Sequence, residues 1–381
     1  MTSRPRIALL LPNLGIGGAE KLFVELAAHL VEAGYAVDFV TLGSECEWAL
    51  PDGINWFPLR QHSDRGRPKW VRFLDMPIVV IKLCRILRDR DVDLVYSGLF
   101  RTNVLALLAK FHTRTTTVIS LHSYYSKMQQ GQPLKRLAAR LLYPRADAAI
   151  FVSSSIRRDF EHNYTKAIRR AHVIPNFLPR PIEPCPSPVL NARQTAAGQG
   201  GHRTTIASVA RLVPEKNLET LVRAVARLRD RIADLELVIV GDGPERRSLE
   251  DLTDVLNLKP VVTFVGAANL PATYLRDAQL YVQPSLHEAF GLAALEAMHL
   301  GLPMILSDIP AFRELSDGGA CAVLVDPHSE RDVADAIYGL LTDPARLRQL
   351  GQQGRARASA YRPEEILPKY HRIFANILGA G

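Results

Sequence analysis

Within residues 287–298, HEAFGLAALEAM, two carboxylates, a glycine turn and the opening of a helix follow one another. The run before them, Leu280-Tyr281-Val282-Gln283, reads as a short buried strand, and Leu292, Leu295 and Met298 repeat at helical spacing. In parallel α/β architecture such strand-to-helix turns lie at the carboxyl ends of the strands. There, free backbone N–H groups and the helix dipole favour an anion by roughly 0.3–1 kcal/mol. Glu288 stands just before the helix and Glu296 eight residues on, about two turns along. One carboxylate then faces the mouth of a cleft and the other lies deeper, which suits two hydroxyl-bearing groups joined by a phosphate. The plainer alternative is a capping glutamate plus a solvated one. Upstream, Arg211 and Lys216 lie five residues apart in a loop after an apolar strand. A guanidinium fork and a mobile ammonium there can bracket a diphosphate, although as isolated charges they would be surface residues. Near the amino end, Gly15, Gly17 and Gly18 let backbone approach a ligand where a Cβ would clash. This loop lacks the full dinucleotide fingerprint, and a plain tight turn is the alternative.

Glu-x7-Glu inside EAFGLAALEA, followed by GLP and SDIPAFRELSDGGACAVLVDP, resembles the carboxyl half of the retaining glycosyltransferases of family 4, which have the GT-B fold. The resemblance runs over nearly the whole chain and is densest after residue 204. It implies that Glu288 contacts a donor sugar, that Glu296 binds a nucleotide ribose, and that the Ala289-Phe290-Gly291-Leu292 backbone holds a diphosphate. It makes Arg211 and Lys216 the pyrophosphate pair, with Asn217 standing where the family usually has Gly. It also sets Gly17 and Gly18 toward the diphosphate and acceptor, Gly241 near the nucleotide and Gly266 near the base. His122, following an apolar strand, becomes a ligand of donor sugar or acceptor; its ordinary near-neutral pKa would permit proton transfer, but only positioning is assigned. The catalytic set is therefore Glu288, His122, Lys216 and Arg211, with no metal. No residue stands out as a covalent nucleophile. The expected chemistry is a same-face substitution in which the leaving phosphate helps deprotonate the acceptor.

The elements that must carry these residues read as α/β, two Rossmann-like doubly wound domains with the active site in the cleft between them. Residues 1–178 form the acceptor-binding domain, opening as strand, glycine loop, helix and strand. Residues 179–201, proline-rich and then rich in Gly, Ala and Gln, form a linker. Residues 202–357 form the nucleotide-sugar domain, and 358–381 a helix returning to the first, with the helices around 344–357 and 364–378 both expected to cross back. Ser153 to Ser155 and Asn217 are placed to cap helices, and Pro244 to open one. Asn103 lies in the first turn of a helix in a segment that is His-rich in related sequences, so its role is open. Asp89, Asp91 and Asp93, interleaved with Arg88 and Arg90, read as solvated ion pairs, not a metal site.

The chain has 381 residues, 47% hydrophobic and 23% charged, as befits a globular protein of two domains. Its four cysteines are dispersed, without metal spacing or a disulfide framework, which favours a reduced, cytoplasmic setting. The first apolar run is too short for a signal peptide or a span. Residues 1–200 carry 27 Lys and Arg against 16 Asp and Glu, and residues 201–381 carry 20 against 23. The basic excess of the amino half points to an anionic partner there. Two segments resemble interfacial ones: RQHSDRGRPKWVRF at 60–73, and KRLAARLLYPR at 135–145, with Leu137, Leu141 and Leu142 on its apolar face. The partners expected are thus a nucleotide-sugar donor, which is a substrate and not a cofactor, a polyprenyl-diphosphate-linked or other lipid acceptor, and an anionic membrane surface. The protein is expected peripherally at the inner face of the cytoplasmic membrane. A soluble acceptor, a catalytically silent nucleotide-sugar binder and a nucleic-acid binder are the alternatives; no nucleic-acid motif is present, so no nucleic acid is expected.

Overall fold

A computed structural model describes residues 4–15, 18–48, 50–61, 75–129, 133–164, 168–178, 203–268 and 272–379. Gly17, the linker and most of the basic segment at 60–73 lie outside them. The chain divides into two compact units, one of Met1–Pro179 with Pro363–Gly381 and the other Arg180–Arg362.

The first unit is built on a parallel sheet of β1 (Arg6–Leu11), β2 (Ala36–Thr41), β3 (Asn55–Pro58), β4 (Leu94–Gly98), β5 (Thr116–Leu121), β6 (Ala148–Phe151) and β7 (Ala171–Val173). Their order is β3-β2-β1-β4-β5-β6-β7, so the direction of winding reverses between β1 and β4. The inner strands RIALLL and LVYSG are buried almost throughout, as strands covered on both faces must be. Helix α1 (Gly18–Glu32) connects β1 to β2. Helices α2 (Met76–Asp89), α3 (Phe100–Ala109), α4 (Tyr125–Gln129) and α5 (Pro133–Leu142) lie in connections that wind the other way, so right-handed crossovers put them on the opposite face. Helix α3 packs against both α2 and α5. On α5 the exposed leucines are Leu134, Leu137 and Leu141, whereas Leu142 is partly buried. Helix α6 (Ser154–Asn163) begins at Ser153, whose hydroxyl accepts the Ile156 amide.

Charges near the start of this sheet pair across the fold, not along the chain. Asp38, fully buried in β2, accepts from Arg90 at 3.1 Å, from Arg6 at 3.3 Å and from Asn55 at 2.9 Å. Arg88 donates to the His112 carbonyl. Among the described residues the expected solvated pairing of Arg88 and Arg90 with their neighbouring aspartates is not formed: the buried carboxylate in β2 claims Arg90, and a backbone carbonyl takes Arg88.

The second unit holds a parallel sheet of β8 (Thr204–Val209), β9 (Leu235–Val240), β10 (Val262–Gly266), β11 (Leu280–Gln283), β12 (Met304–Ser307) and β13 (Val323–Val325), ordered β10-β9-β8-β11-β12-β13. Winding reverses between β8 and β11. Its helices are α7 (Leu218–Ala226), α8 (Arg246–Val255), α9 (Ala272–Leu275), α10 (Leu292–His299), α11 (Pro310–Leu315), α12 (Glu330–Leu341) and α13 (Pro344–Ala358). A core of Leu, Ile and Val from β8, β9, α7 and α12 is closed to solvent. Helix α13 packs on α10 and stays with this unit, contrary to the expectation that it crosses back. The last helix, α14 (Pro363–Leu378), belongs to the first unit, where Tyr370 and Phe374 meet the Tyr96 ring at 5.8 and 5.4 Å.

Candidate functional site

In open parallel sheets, ligands bind beyond the carboxyl ends of the strands where the winding reverses. In the second unit that place lies between β8 and β11, and the two loops leaving it carry the residues singled out from the sequence. After β8 the chain runs through Ala210 and Arg211 into a single 3-10 turn, Pro214–Lys216. After β11 it runs through Pro284, Ser285 and Leu286 to Glu288. The loops are laced by the Leu286 amide donating to the Glu215 carbonyl at 2.9 Å. Asn217 adds two more ties, donating from Nδ2 to the Pro284 carbonyl at 3.1 Å and to the Pro327 carbonyl at 2.6 Å.

Asn217 is thus not the side-chain cap that its position suggests. Its backbone is left-handed, φ 52°, and the side chain makes no cap bond to α7. Asn is among the few residues other than Gly that enter this region readily. Here it keeps a backbone shape that Gly would allow and spends its amide joining three loops.

Lys216 and Glu288 meet. Lys216 Nζ lies 2.5 Å from Glu288 Oε1, with the two side chains only 17% and 9% exposed. Gln283 Nε2 donates to the same oxygen at 2.5 Å and Ser285 Oγ at 3.0 Å. Gln283 is itself held by the Tyr281 hydroxyl, which donates to Gln283 Oε1 at 2.5 Å. Burial, then the charges of Glu288 and Glu296, push the Tyr281 phenol well above its ordinary pKa, so it stays a donor. All three donors converge on Oε1, and Oε2 takes no hydrogen bond among the described residues. The carboxylate is locked in one orientation with one oxygen left to accept from a ligand. Sequence reading missed Tyr281, Gln283 and Ser285, because Tyr-Val-Gln reads as an apolar strand; the alternation of Tyr281, Gln283 and Ser285 on one strand face was the available signal.

Arg211 is exposed and makes no side-chain hydrogen bond among the described residues, so its guanidinium is available at the same edge. Gly291 is left-handed at φ 98°, and a Cβ there would stand 2.6 Å from Phe312 Cε1. That turn delays helix α10 until Leu292, so Glu296 lies one turn into the helix and not two from its start. The first helical bond runs from the Leu295 amide to the Gly291 carbonyl at 2.9 Å. The leading amides without an intrahelical acceptor are therefore Leu292 to Ala294, displaced from the expected 289–292. The Phe290 side chain is buried edge-on against Tyr361 at 5.5 Å and anchors the turn.

Gly241 and Gly266 sit at the ends of β9 and β10, bonded to each other from the Gly241 amide to the Gly266 carbonyl at 2.8 Å. A Cβ on Gly241 would fall 1.8 Å from the Ala210 carbonyl oxygen, so glycine here lets the β9 loop press against the Arg211 loop. Pro244 remains in the turn; α8 starts two residues later, with Glu245 at its cap position. Among the described residues no group of three His, Cys, Asp or Glu is placed to hold a metal ion.

The first unit carries His122 directly after β5 and Gly18 at the first position of α1. The Gly15 carbonyl accepts from Trp48 Nε1 at 2.9 Å, which ties the glycine loop to the loop after β2. His122 Nε2 lies 2.9 Å from Ser120 Oγ, whose own proton goes to the Ser97 carbonyl at 3.0 Å. Ser120 can then only accept from Nε2–H, which leaves Nδ1 as the acceptor nitrogen. Burial pushes the imidazole down to about 4, so His122 is neutral at physiological pH, and the near-neutral pKa expected for it is corrected. Asn103 receives the Ser97 hydroxyl at 2.7 Å and donates to the Ser120 carbonyl at 2.8 Å. It is a buried tie between β4 and β5.

Two family descriptions match the chain in tandem: "Glycosyltransferase Family 4" over residues 16–179 and "Glycosyl transferases group 1" over residues 194–357. A relative from Campylobacter jejuni, the N-acetylgalactosamine-N,N'-diacetylbacillosaminyl-diphospho-undecaprenol 4-alpha-N-acetylgalactosaminyltransferase, is 24% identical over 93% of this chain and 95% of its own. A GDP-mannose-dependent alpha-(1-6)-phosphatidylinositol monomannoside mannosyltransferase from Mycobacterium tuberculosis is 28% identical over 73% of this chain and 74% of its own. Among solved structures, sucrose-phosphate synthase from Thermosynechococcus elongatus aligns with a TM-score of 0.85 at 24% identity, covering 99% of this chain and 100% of that one. Anabaena HepE in complex with UDP aligns at 0.75 and 20%, covering 97% and 100%.

Proposed function

Because the chain belongs to the glycosyltransferases of family 4, with the GT-B pair of Rossmann-like domains, we propose that it is a retaining enzyme acting in assembly of a cell-surface polysaccharide. It moves a hexose or N-acetylhexosamine from a nucleotide-sugar, a UDP-sugar in preference to a GDP-sugar, to a lipid-linked saccharide. The observation that carries this reading is the Lys216 ammonium on Glu288 Oε1, at the point where the second sheet reverses its winding. The lipid-linked acceptor is supported by the relatives from C. jejuni and M. tuberculosis, whose names contain diphospho-undecaprenol and phosphatidylinositol. The relative solved with UDP supports the base, against the GDP-mannose of the mycobacterial one.

In this reading the free oxygen of Glu288 accepts from a hydroxyl of the donor sugar, and Glu296 takes the ribose. Lys216, Arg211 and the leading amides of α10 receive the diphosphate and stabilise the charge that grows on it as it leaves, so positive charge is supplied without a metal. The bond from the anomeric carbon to the phosphate oxygen breaks with its electron pair going to the diphosphate. The acceptor oxygen bonds to the same face of the sugar, and its proton passes to the departing phosphate. Neutral His122 orients a hydroxyl through Nδ1. No cofactor takes part, and the protein works peripherally at the inner face of the cytoplasmic membrane.

Titration with UDP- and GDP-sugars by calorimetry, with slow nucleotide release as the second readout, tests the reading. One donor should bind and the Lys216→Ala form should not. If no nucleotide-sugar binds, or if Lys216→Ala and Glu288→Ala both bind and turn over as the parent does, the reading falls.

A further inference from the structure

Large apolar side chains that are exposed collect on one face of the first unit. Among the described residues, Ile78 and Ile81 on α2 are 58% and 60% exposed, and Leu134, Leu137 and Leu141 on α5 are 77%, 52% and 51% exposed. Phe111, just beyond α3, is also exposed and lies under the Arg145 guanidinium at 4.8 Å. Among the described residues, Val255 is the one large exposed hydrophobic that lies elsewhere.

The spacing on each helix makes a stripe. Helix α2 buries Val79, Leu83, Cys84 and Leu87 against the sheet, which turns Ile78 and Ile81 outward, followed by Lys82 and Arg85 on the same side. Helix α5 buries only Ala139, and Leu134, Leu137 and Leu141 recur along its outer side with Arg136 and Arg140 exposed beside them. Both helices pack on α3 and lie on the same face of the sheet, so the two stripes belong to one outer layer. Helix α5 contains no acid and α2 only Asp89.

We propose that this outer layer of α2 and α5 is a docking surface for a lipid bilayer bearing anionic headgroups. The leucines and isoleucines enter the boundary between headgroups and acyl chains, while Arg85, Arg136 and Arg140 extend back to the phosphates; Lys82 is held on the Leu59 carbonyl at 3.3 Å. A second copy of this chain is a poor occupant: a two-fold contact through the patch would set these bases against their own copies. The proposal deepens the peripheral membrane placement proposed above and rests on that part of the reading; it is separate from the transfer chemistry, because it uses the outer helices and not the carboxyl edges of the sheets.

The test is flotation of the full chain with vesicles of phosphatidylcholine, alone and mixed with phosphatidylglycerol. The parent should float with the mixed vesicles, at least roughly tenfold better than with phosphatidylcholine alone, and salt should weaken the binding. Ile78→Glu with Ile81→Glu, and Leu137→Glu with Leu141→Glu, should each lower the bound fraction several-fold, and the four together should bring it to background. Donor binding and circular dichroism of the variants should match the parent, because the altered side chains are exposed. The proposal is overturned if the parent does not float, if the fourfold variant floats as the parent does, or if the substitutions instead abolish a concentration-dependent dimer in ultracentrifugation.

Discussion

At the carboxyl edge of the second sheet a lysine, a glutamine and a serine converge on one oxygen of Glu288, all fastened to loops that bond to each other. At the edge of the first sheet His122 leans on a serine hydroxyl whose proton is already spent, beside the Phe23 ring, and carries no charge at physiological pH. The second unit concentrates opposite charges at its edge and holds them rigid. Beside β5 the first has neutral hydrogen-bonding groups, and it exposes Arg85, Arg136 and Arg140 on outer helices. Proteins that must receive a charged group gain from dipoles and charges fixed before the ligand arrives, because no reorganisation is then needed at the moment of reaction. An uncharged hydroxyl needs only an acceptor held in the right tautomer.

The sharpest way to break this contrast is at Lys216. Lys216→Ala or Glu288→Ala should each lower turnover by at least roughly tenfold, measured as nucleotide released per enzyme. Lys216→Ala leaves Glu288 with two neutral donors at a partly buried site. Next in size is Gln283→Leu, which strips one donor from Glu288 and the acceptor from Tyr281. The buried phenol keeps only the longer bond to the Val209 carbonyl at 3.5 Å, so the change should cost about 1 kcal/mol in chemical denaturation, with a smaller loss of turnover than at Lys216, since Lys216 and Ser285 still hold the carboxylate.

The contrast predicts a pH signature on the first unit. The folded-state pKa of His122 lies below the unfolded one, so the unfolded chain binds the extra proton first as pH falls. Its contribution is present above the ordinary histidine range and is lost as pH falls from about 6.5 towards 4, by at most about 3 kcal/mol. Denaturation of the parent and of His122→Gln across that interval should differ in slope, the variant being flatter; equal slopes would mean that His122 is not held neutral. The smallest effect is expected at Arg211→Ala, within about 0.5 kcal/mol in stability because the side chain is exposed, yet with donor affinity reduced several-fold.

Much of this arrangement is legible before any coordinates. LYVQ followed by a glycine turn gives β11 and α10, and LELVIV gives β9 to the residue. Two apolar strands, each followed by a charged loop, suffice to put Lys216 and Glu288 on the same edge. Their contact is not legible, because it depends on β8 and β11 being neighbours across 72 residues of chain. The same limit hides Arg90 on Asp38, which meet across 52 residues of chain. Asn217 misleads for a different reason: Asn before a helix reads as a cap, but a left-handed backbone turns its side chain away from the first helical amides. At Gly291 the glycine is visible but not its effect, which is to shorten the helix from its amino end and move its free amides three residues along.

Helix α14 gives the chain a particular order of completion. Tyr370 and Phe374 finish the aromatic cluster around Tyr96, yet every residue of the second unit is synthesised between that cluster and the helix that closes it. On the ribosome the second unit has its whole sequence in hand while the first still lacks a wall. The earlier-made unit is thus the later to mature, with Tyr96 and its neighbours open until the final turns of α14 emerge.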